Sequence, residues 1–497
     1  MNIAMLLQMA AEVGGHRHAL TCRHQHYSYK ALFDAARVAA SEFSDSGCEY
    51  VCVLDTSNPA VPVALMGAAM AGIPYVPINY RLASDRLDAL INRIEPVYLI
   101  TSPEQLRKFE RRNGVTSTTS NDFVAATLNA QAPDIAWPED PSAIAVQLFT
   151  SGTTGTPKAA LLRHEHLMSY ILGSVEFASA EEHEATLVSV PPYHIAGISA
   201  LLSSLYAGRR IVFLPDFGAA AWLELVELEK VTNAFVVPTM LSRVIDHLDT
   251  IEHEPQADTL QAIAYGGGKM TTRVISRALE LFPNVNFTNA YGLTETSSTI
   301  SLLTPDDHRD ALASDHPDVC RRLGSVGKPL PSVEIEIRDE DGNVLGANQA
   351  GEIYVRGPQV SGEYKERNAL DADGWFPTRD AGEMDDEGFV FLTGRADDVI
   401  VRGGENISPS EIEDVLLEHE AISDAAAVPV PSNEWGETVG IAVVLKGSGE
   451  ADSHELQHLI KSRLRSSRVP EQVLFVKELP YNEMGKLLRR EIKLLFR

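Results

Sequence analysis

Phe149-Thr150-Ser151-Gly152-Thr153-Thr154-Gly155-Thr156-Pro157-Lys158 completes and follows the apolar run at 143–149. A short apolar run that ends in a glycine-containing turn reads as a buried strand opening into a loop. Hydroxyls and two glycines within one turn let backbone N–H and side-chain O–H groups surround a polyphosphate. Lys158 adds a point charge. The spacing is not GxxxxGK[ST], so this is no Walker A loop, and neither is the run from Gly266 to Lys269. Taken alone, the stretch also reads as a Ser/Thr/Gly-rich surface turn.

Outward from this loop the chain alternates. Residues 50–54 read as a strand, 60–71 as a helix stopped by Gly72 and Pro74, and 75–78 as the next strand. The uncharged run 56–80 carries Pro59, Pro62, Pro74 and Pro77, which favours this βαβ reading over a membrane span. Residues 111–121 are polar and read as a surface loop. Apolar runs at 186–190 and 210–214 alternate with helical stretches at 221–230 and 273–281, predicting α/β layers with largely parallel strands up to about Cys320.

From 324 to 392 the texture changes to closely spaced strands, including 333–337 and 352–355, which indicates a β-rich unit. Beyond Gly394-Arg395-Ala396-Asp397-Asp398 come a strand at 399–401, a Gly403-Gly404 turn and Ser408-Pro409-Ser410-Glu411. The last reads as a capping box opening a helix to about His419. Strands at 423–428, 439–445 and 472–476 and a helix at 453–465 complete an α+β unit of about 100 residues. The domains expected are 1–394 and 398–497.

The 497 residues carry 42 Lys plus Arg against 69 Asp plus Glu, a formal charge of −27. That balance disfavours nucleic acid and anionic lipid as partners. Cys22, Cys48, Cys52 and Cys320 form no disulfide framework or CxxC zinc pair, and the first residues lack a basic region before their apolar stretch. A cytoplasmic protein without stable membrane insertion is expected. His16, His18, His24 and His26 have no accompanying carboxylate or thiol pattern, and we reject a metal tract there.

Three further motifs carry chemistry. Asn289-Ala290-Tyr291-Gly292-Leu293-Thr294-Glu295-Thr296 follows a strand at 263–265, the glycines Gly266, Gly267 and Gly268, and a helix. The glycines hold no side chains between a ligand and the backbone. Glu295 offers a hard oxygen to Mg²⁺ and Thr294 a hydroxyl to phosphate, although a turn with a capping Thr and a solvated Glu reads the same way. Asp380, in Thr378-Arg379-Asp380-Ala381-Gly382, is the candidate acceptor from two vicinal hydroxyls of a ribose, with Arg395 alongside, although an Asp before Ala-Gly is otherwise turn chemistry. Leu479-Pro480-Tyr481-Asn482-Glu483-Met484-Gly485-Lys486 is bland by composition.

In this order and spacing, the motifs resemble the adenylate-forming superfamily of acyl- and aryl-CoA synthetases, peptide-synthetase adenylation domains and beetle luciferases. The likeness runs from Tyr27-Ser28-Tyr29-Lys30-Ala31-Leu32 to Lys486 and includes Arg402-Gly403-Gly404-Glu405-Asn406-Ile407. It implies an α/β fold: a large N-terminal domain of layered α/β subdomains plus a β-rich subdomain, then a small mobile α+β lid hinged near Asp397. It implies an acyl-CoA ligase using ATP, Mg²⁺ and coenzyme A. A carboxylic acid forms acyl-AMP and pyrophosphate, and a thiol then displaces AMP.

By the same resemblance, Thr150, Ser151, Gly152, Thr153, Thr154, Gly155, Thr156 and Lys158 hold the β- and γ-phosphates, and Thr294 and Glu295 serve the α-phosphate and Mg²⁺. Gly266, Gly267 and Gly268 with Asn289, Ala290, Tyr291 and Gly292 flank adenine, Asp380 and Arg395 hold ribose, and Lys486 bridges carboxylate and α-phosphate. Arg402, Gly403, Gly404 and Glu405 face CoA. His194 gates an acyl pocket expected to include Ile198, Val236, Val237, Thr239, Gly268, Leu293 and Ile300, whose apolar and glycine lining suits a bulky hydrophobic or aromatic acid.

The family commonly has Gly after the loop lysine, where this chain has Ala159. A methyl there crowds the backbone if the position needs positive φ. Adenylation would then be weak, leaving thioester formation from a supplied acyl-adenylate. No Gly-Gly-x-Ser carrier site is fused to the chain, so free CoA is the simplest acceptor. A separate carrier protein as acceptor leaves the same sequence signature, and a non-catalytic acyl-nucleotide binder is the other alternative, against which the presence of Lys486 favours catalysis.

Overall fold

The computed structural model describes residues 1–150, 157–250, 257–395, 398–402, 405–432, 434–447, 449–482 and 487–496, with Asn406 described by its backbone only. Among these residues the largest sheet has nine strands. Ala262–Gly266, Asn233–Val236, Ala185–Val188 and Arg210–Phe213 run parallel in its centre. Asn286–Leu293 extends this parallel set, and Ser298–Leu303 then pairs antiparallel to it. The chain thus reverses at residues 293–298, where the second motif lies.

A second layer holds the parallel strands Tyr50–Leu54, Val97–Thr101 and Val115–Thr119. The 111–121 stretch expected as a loop therefore contributes a strand, because Val and Thr suit a pleated edge beside Val97–Thr101. The strand expected at 75–78 is an extended bridge instead. Tyr75 N–H donates to Ala145 O at 3.0 Å and Val76 N–H to Val51 O at 2.8 Å, while Pro74 and Pro77 bring no N–H to a longer ladder. This bridge joins the three-stranded layer to the hairpin Ile144–Thr150 and Lys158–Arg163, which flanks the hydroxyl-rich loop.

The helix Ala60–Ala71 ends at Gly72 in the left-handed region. Its sequence AVPVALMGAAMA is apolar on every face, and all but its last residue are buried. Among the described residues no helix is long and apolar enough to cross a membrane.

The β-rich unit is an antiparallel sheet of Glu334–Arg338, Gly351–Arg356, Phe376–Met384 and Val390–Arg395. Residues from 400 onward build separate cores, around Ile400, Ile412, Leu416 and Ile441 on one side and Ala426, Val428 and Ile492 on the other. The helix Pro409–Leu417 starts after Ser408 without the expected reciprocal box. The Ser408 hydroxyl donates to Thr393 O, and Glu411 Oε2 instead accepts from Arg468 Nε at 3.2 Å. Tertiary partners replace the local cap.

Candidate active site

Strand register brings the third motif together. In the pairing of Phe376–Met384 with Val390–Arg395, Asp380 stands opposite Arg395. Arg395 Nη1 lies 3.1 Å from Asp380 Oδ1 and donates to Thr378 O at 3.1 Å. The Tyr291 hydroxyl donates to Asp380 Oδ2 at 2.7 Å. Burial first, and then the Asp380 charge, hold that phenol well above its ordinary pKa, so it remains a donor. Each carboxylate oxygen has two lone pairs, so Asp380 retains acceptor capacity for vicinal hydroxyls.

The second motif is shaped by backbone closeness. A Cβ on Gly292 would lie 1.8 Å from Ser298 O, and one on Gly266 would lie 2.1 Å from Ala290 O. Gly266 is thus required by the neighbouring strand, a different reason from the open ligand wall expected. Gly267 and Gly268 are exposed. Asn289 is also committed, donating from Nδ2 to Ser325 O at 3.0 Å. The Thr296 hydroxyl ties the short turn Thr294–Thr296 through Leu293 O at 3.1 Å and Ser298 O at 2.8 Å.

Within that turn Glu295 is buried. Its carbonyl accepts from Ser361 N–H at 2.9 Å and Gly362 N–H at 3.1 Å, and its Oε1 accepts from the Tyr364 hydroxyl at 2.5 Å. Among the described residues no cationic side chain pairs with this carboxylate, and its Oε2 has no hydrogen-bond partner. A buried carboxylate with one oxygen held by a tyrosine hydroxyl fits Mg²⁺, which takes one or two carboxylates plus phosphate oxygens and water.

Lys158 opens the strand leaving the hydroxyl-rich loop, paired with Thr150. Its Nζ is 5.6 Å from the centroid of the Tyr364 ring. Ala159 sits in the same strand, wholly buried and absent from the positive-φ residues, so its methyl meets no left-handed constraint. Arg93 braces both ends of the loop. Its Nη1 donates to Pro157 O at 2.6 Å, and its guanidinium lies 4.9 Å from the Phe149 ring centroid.

The residues expected to line an acyl pocket differ in exposure. His194 stands at the start of the helix Ile195–Ala207, its ring 4.7 Å from that of Tyr193, and burial lowers its pKa to about 4. Thr239 and Leu293 are half-buried, whereas Ile198, Val236 and Val237 belong to the main core. Ile300 is fully buried in the β-rich core with Tyr291 and Val326.

Arg402 is tied within the C-terminal unit, to Ser467 O at 2.8 Å and Glu471 Oε1 at 2.6 Å, with the Trp435 ring 5.7 Å away. Glu405 pairs with Arg468, which lowers its pKa. Lys269 Nζ, just past the three glycines, reaches Asp414 Oδ2 on the helix Pro409–Leu417 at 2.8 Å. Ser151, Gly152, Thr153, Thr154, Gly155, Thr156, Asp397, Gly403, Gly404 and Lys486 lie outside the described residues. Tyr364, Arg93, Lys269 and Trp435 are not found from sequence, since each meets the site through partners distant in the chain.

The family model described as AMP-binding enzyme matches residues 7–365, and the AMP-binding enzyme C-terminal domain matches residues 411–486. The chain belongs to the AMP-binding enzyme family. It is 34% identical over 352 residues to a 2-succinylbenzoate–CoA ligase of Bacillus cereus (strain ATCC 10987 / NRS 248), covering 70% of this chain and 69% of that one. An o-succinylbenzoate CoA synthetase from Bacillus subtilis, in complex with the acyl-adenylate intermediate OSB-AMP, superposes with a TM-score of 0.84 at 28% identity, covering 98% and 97% of the two chains. ATP-bound MatB from Rhodopseudomonas palustris superposes with a TM-score of 0.87 at 25% identity, covering 100% and 99%.

This AMP-binding enzyme is therefore adenylate-forming, an acid–CoA ligase with the large N-terminal and smaller C-terminal α/β architecture of that superfamily. An o-succinylbenzoate CoA synthetase from Bacillus subtilis in complex with ATP and magnesium ion superposes with a TM-score of 0.84 at 28% identity, covering 98% and 99% of the two chains.

Proposed function

We propose that the acid is an aromatic carboxylate of the 2-succinylbenzoate kind, converted through its acyl-adenylate to a CoA thioester in the cytoplasm. The ligase relatives support the substrate class. The partly open His194, Leu293 and exposed Gly267 and Gly268 support a flat, bulky acid over acetate. Four free cysteines support a reducing compartment.

The observation that carries the reading is the meeting of Tyr291, Asp380 and Arg395, with Tyr291 and Asp380 drawn from motifs 89 residues apart. In the mechanism we adopt, Asp380 accepts the ribose hydroxyls while Arg395 and Tyr291 fix its orientation. Lys158 and the hydroxyl loop hold the outer phosphates. Mg²⁺, when bound, neutralises phosphate charge, and Glu295 is the residue that would hold it. Attack of the acid's carboxylate oxygen on the α-phosphorus breaks the bond to pyrophosphate. That encounter joins two anions, so positioning and charge neutralisation dominate the barrier. Lys486 bridges the two in this reading, and a neutral His194 lines the acid's path without adding charge.

A boundary between 394 and 398, with a hinge at Asp397, is part of the proposal. The separate cores on its far side support it. Rotation there withdraws Lys486 and presents the 402–405 turn to CoA. The test is thioester formation from a panel of acids with CoA or a phosphopantetheinylated carrier protein as acceptor. We expect product with CoA and an aryl dicarboxylate. Product only with the carrier, or only with short aliphatic acids, overturns the acceptor or the substrate class respectively.

A further inference from the structure

Tyr364 touches the two oppositely charged groups of the metal–triphosphate site at once. Its hydroxyl donates to Glu295 Oε1 at 2.5 Å, and its ring lies 5.6 Å from Lys158 Nζ. It is held there by the backbone. Tyr364 is in register with Ala160, and the next residue, Lys365, donates its N–H to Ala159 O at 2.9 Å. The same short segment also fastens Glu295 by its carbonyl, through Ser361 and Gly362. Glu366 pairs with Arg93 at 2.6 Å, the residue that braces the loop ends.

An ammonium and a buried carboxylate that both reach one tyrosine attract each other strongly when nothing lies between them. A direct Lys158–Glu295 pair would neutralise both groups before nucleotide arrived. In the structure they form no ion pair, and each rests on a different part of Tyr364: the acid on its hydroxyl, the ammonium near its π face. We propose that Tyr364 is a positioning residue that keeps Lys158 and Glu295 apart, presenting one carboxylate oxygen to the cation and the ammonium to the outer phosphates of ATP. The hydroxyl occupies Oε1 and leaves Oε2 to the cation. The ring supplies a surface that favours the cation without neutralising it.

The inference rests on the assignment of Glu295 and Lys158 made above, and the experiment separates the two. Calorimetric binding of ATP is measured across a Mg²⁺ titration, with AMP binding as the reference, because AMP lacks the outer phosphates. Loss of a hydrogen bond to a charged group predicts that Tyr364→Phe raises the Mg²⁺ concentration for half-maximal ATP binding by about tenfold. AMP affinity should change by less than about twofold, within the range of a site not directly altered. In a Lys158→Met background the Phe substitution should raise the Mg²⁺ requirement by less than about threefold, since no ammonium remains for Glu295 to pair with; this non-additivity is the signature of coupled neighbours.

Equal losses of AMP and ATP binding in Tyr364→Phe, or an unchanged Mg²⁺ requirement while Glu295→Gln raises it, overturn the role of Tyr364 alone. Full additivity with Lys158→Met removes the spacer function. An unchanged Mg²⁺ requirement in Glu295→Gln overturns the underlying assignment and this inference with it.

Discussion

Tyr291 donates to Asp380 Oδ2 at 2.7 Å, joining the end of a parallel α/β strand to the middle of an antiparallel β-rich strand. In the proposed mechanism the bond makes the junction of the two units part of the nucleotide site. Removing the hydroxyl leaves Asp380 buried with one partner fewer. Tyr291→Phe should weaken AMP and ATP binding together, by about tenfold, as expected for a hydrogen bond to a charged acceptor. Calorimetry with each nucleotide checks this, and a loss confined to ATP would contradict a ribose role.

His194 stays neutral through the working range, because burial lowers its pKa to about 4. The profile of kcat/KM for the acid should show no ionisation from this residue between about pH 6 and 9, a window set above that value and spanning the ordinary histidine range. His194→Gln should change the KM for the acid without creating or removing an acidic limb. Parallel profiles for parent and variant check it, and a limb near the ordinary histidine pKa that disappears in the variant contradicts it.

His164 carries a pH-dependent share of stability. It is buried, its Nδ1 accepts from Ile3 N–H at 3.2 Å, and burial followed by the nearby terminal ammonium lowers its pKa to about 4. Above the unfolded value of 6.5 it is neutral in both states, so its contribution is complete. As pH falls from there toward 4, the unfolded chain takes up a proton that the folded one refuses, and stability drops. Melting temperatures across this window should fall less steeply for His164→Asn than for the parent.

Arg489 and Glu413 form a buried pair in the C-terminal unit. Glu413 is 7% exposed, its Oε2 accepts from Arg489 Nη2 at 2.9 Å, and Arg489 also donates to Ala427 O at 2.7 Å. Arg489→Met strands the carboxylate, at a cost of about 3–5 kcal/mol typical of a broken buried pair. Denaturant titration of the parent and variant reads the difference. Replacing both residues by apolar ones should recover much of the loss.

Element types are readable where pattern and turn chemistry agree. The strand at 50–54, the helix ended by Gly72 and the strand at 472–476 coincide with Tyr50–Leu54, Ala60–Ala71 and Gln472–Val476. Expectation and structure part where a distant partner decides the outcome. The polar residues 115–119 form a strand because Val97–Thr101 offers an edge, and Ser408 leaves its own helix for Thr393 O. In the site, Asp380 and Arg395 are legible as neighbours of a motif. Tyr364 is not, because its meeting with Glu295 spans 69 positions and no local pattern marks it.

Activation of the acid as its adenylate, with Lys486 bridging the reacting oxygens, is the step on which the proposed function turns. Acid-dependent exchange of labelled pyrophosphate into ATP reads that step alone, in the parent and in Lys486→Ala. Exchange in the parent with an aryl dicarboxylate, reduced by about 10²–10³ in the variant, is the result predicted from loss of one preorganised donor. Equal exchange by both proteins with the best acid would contradict it.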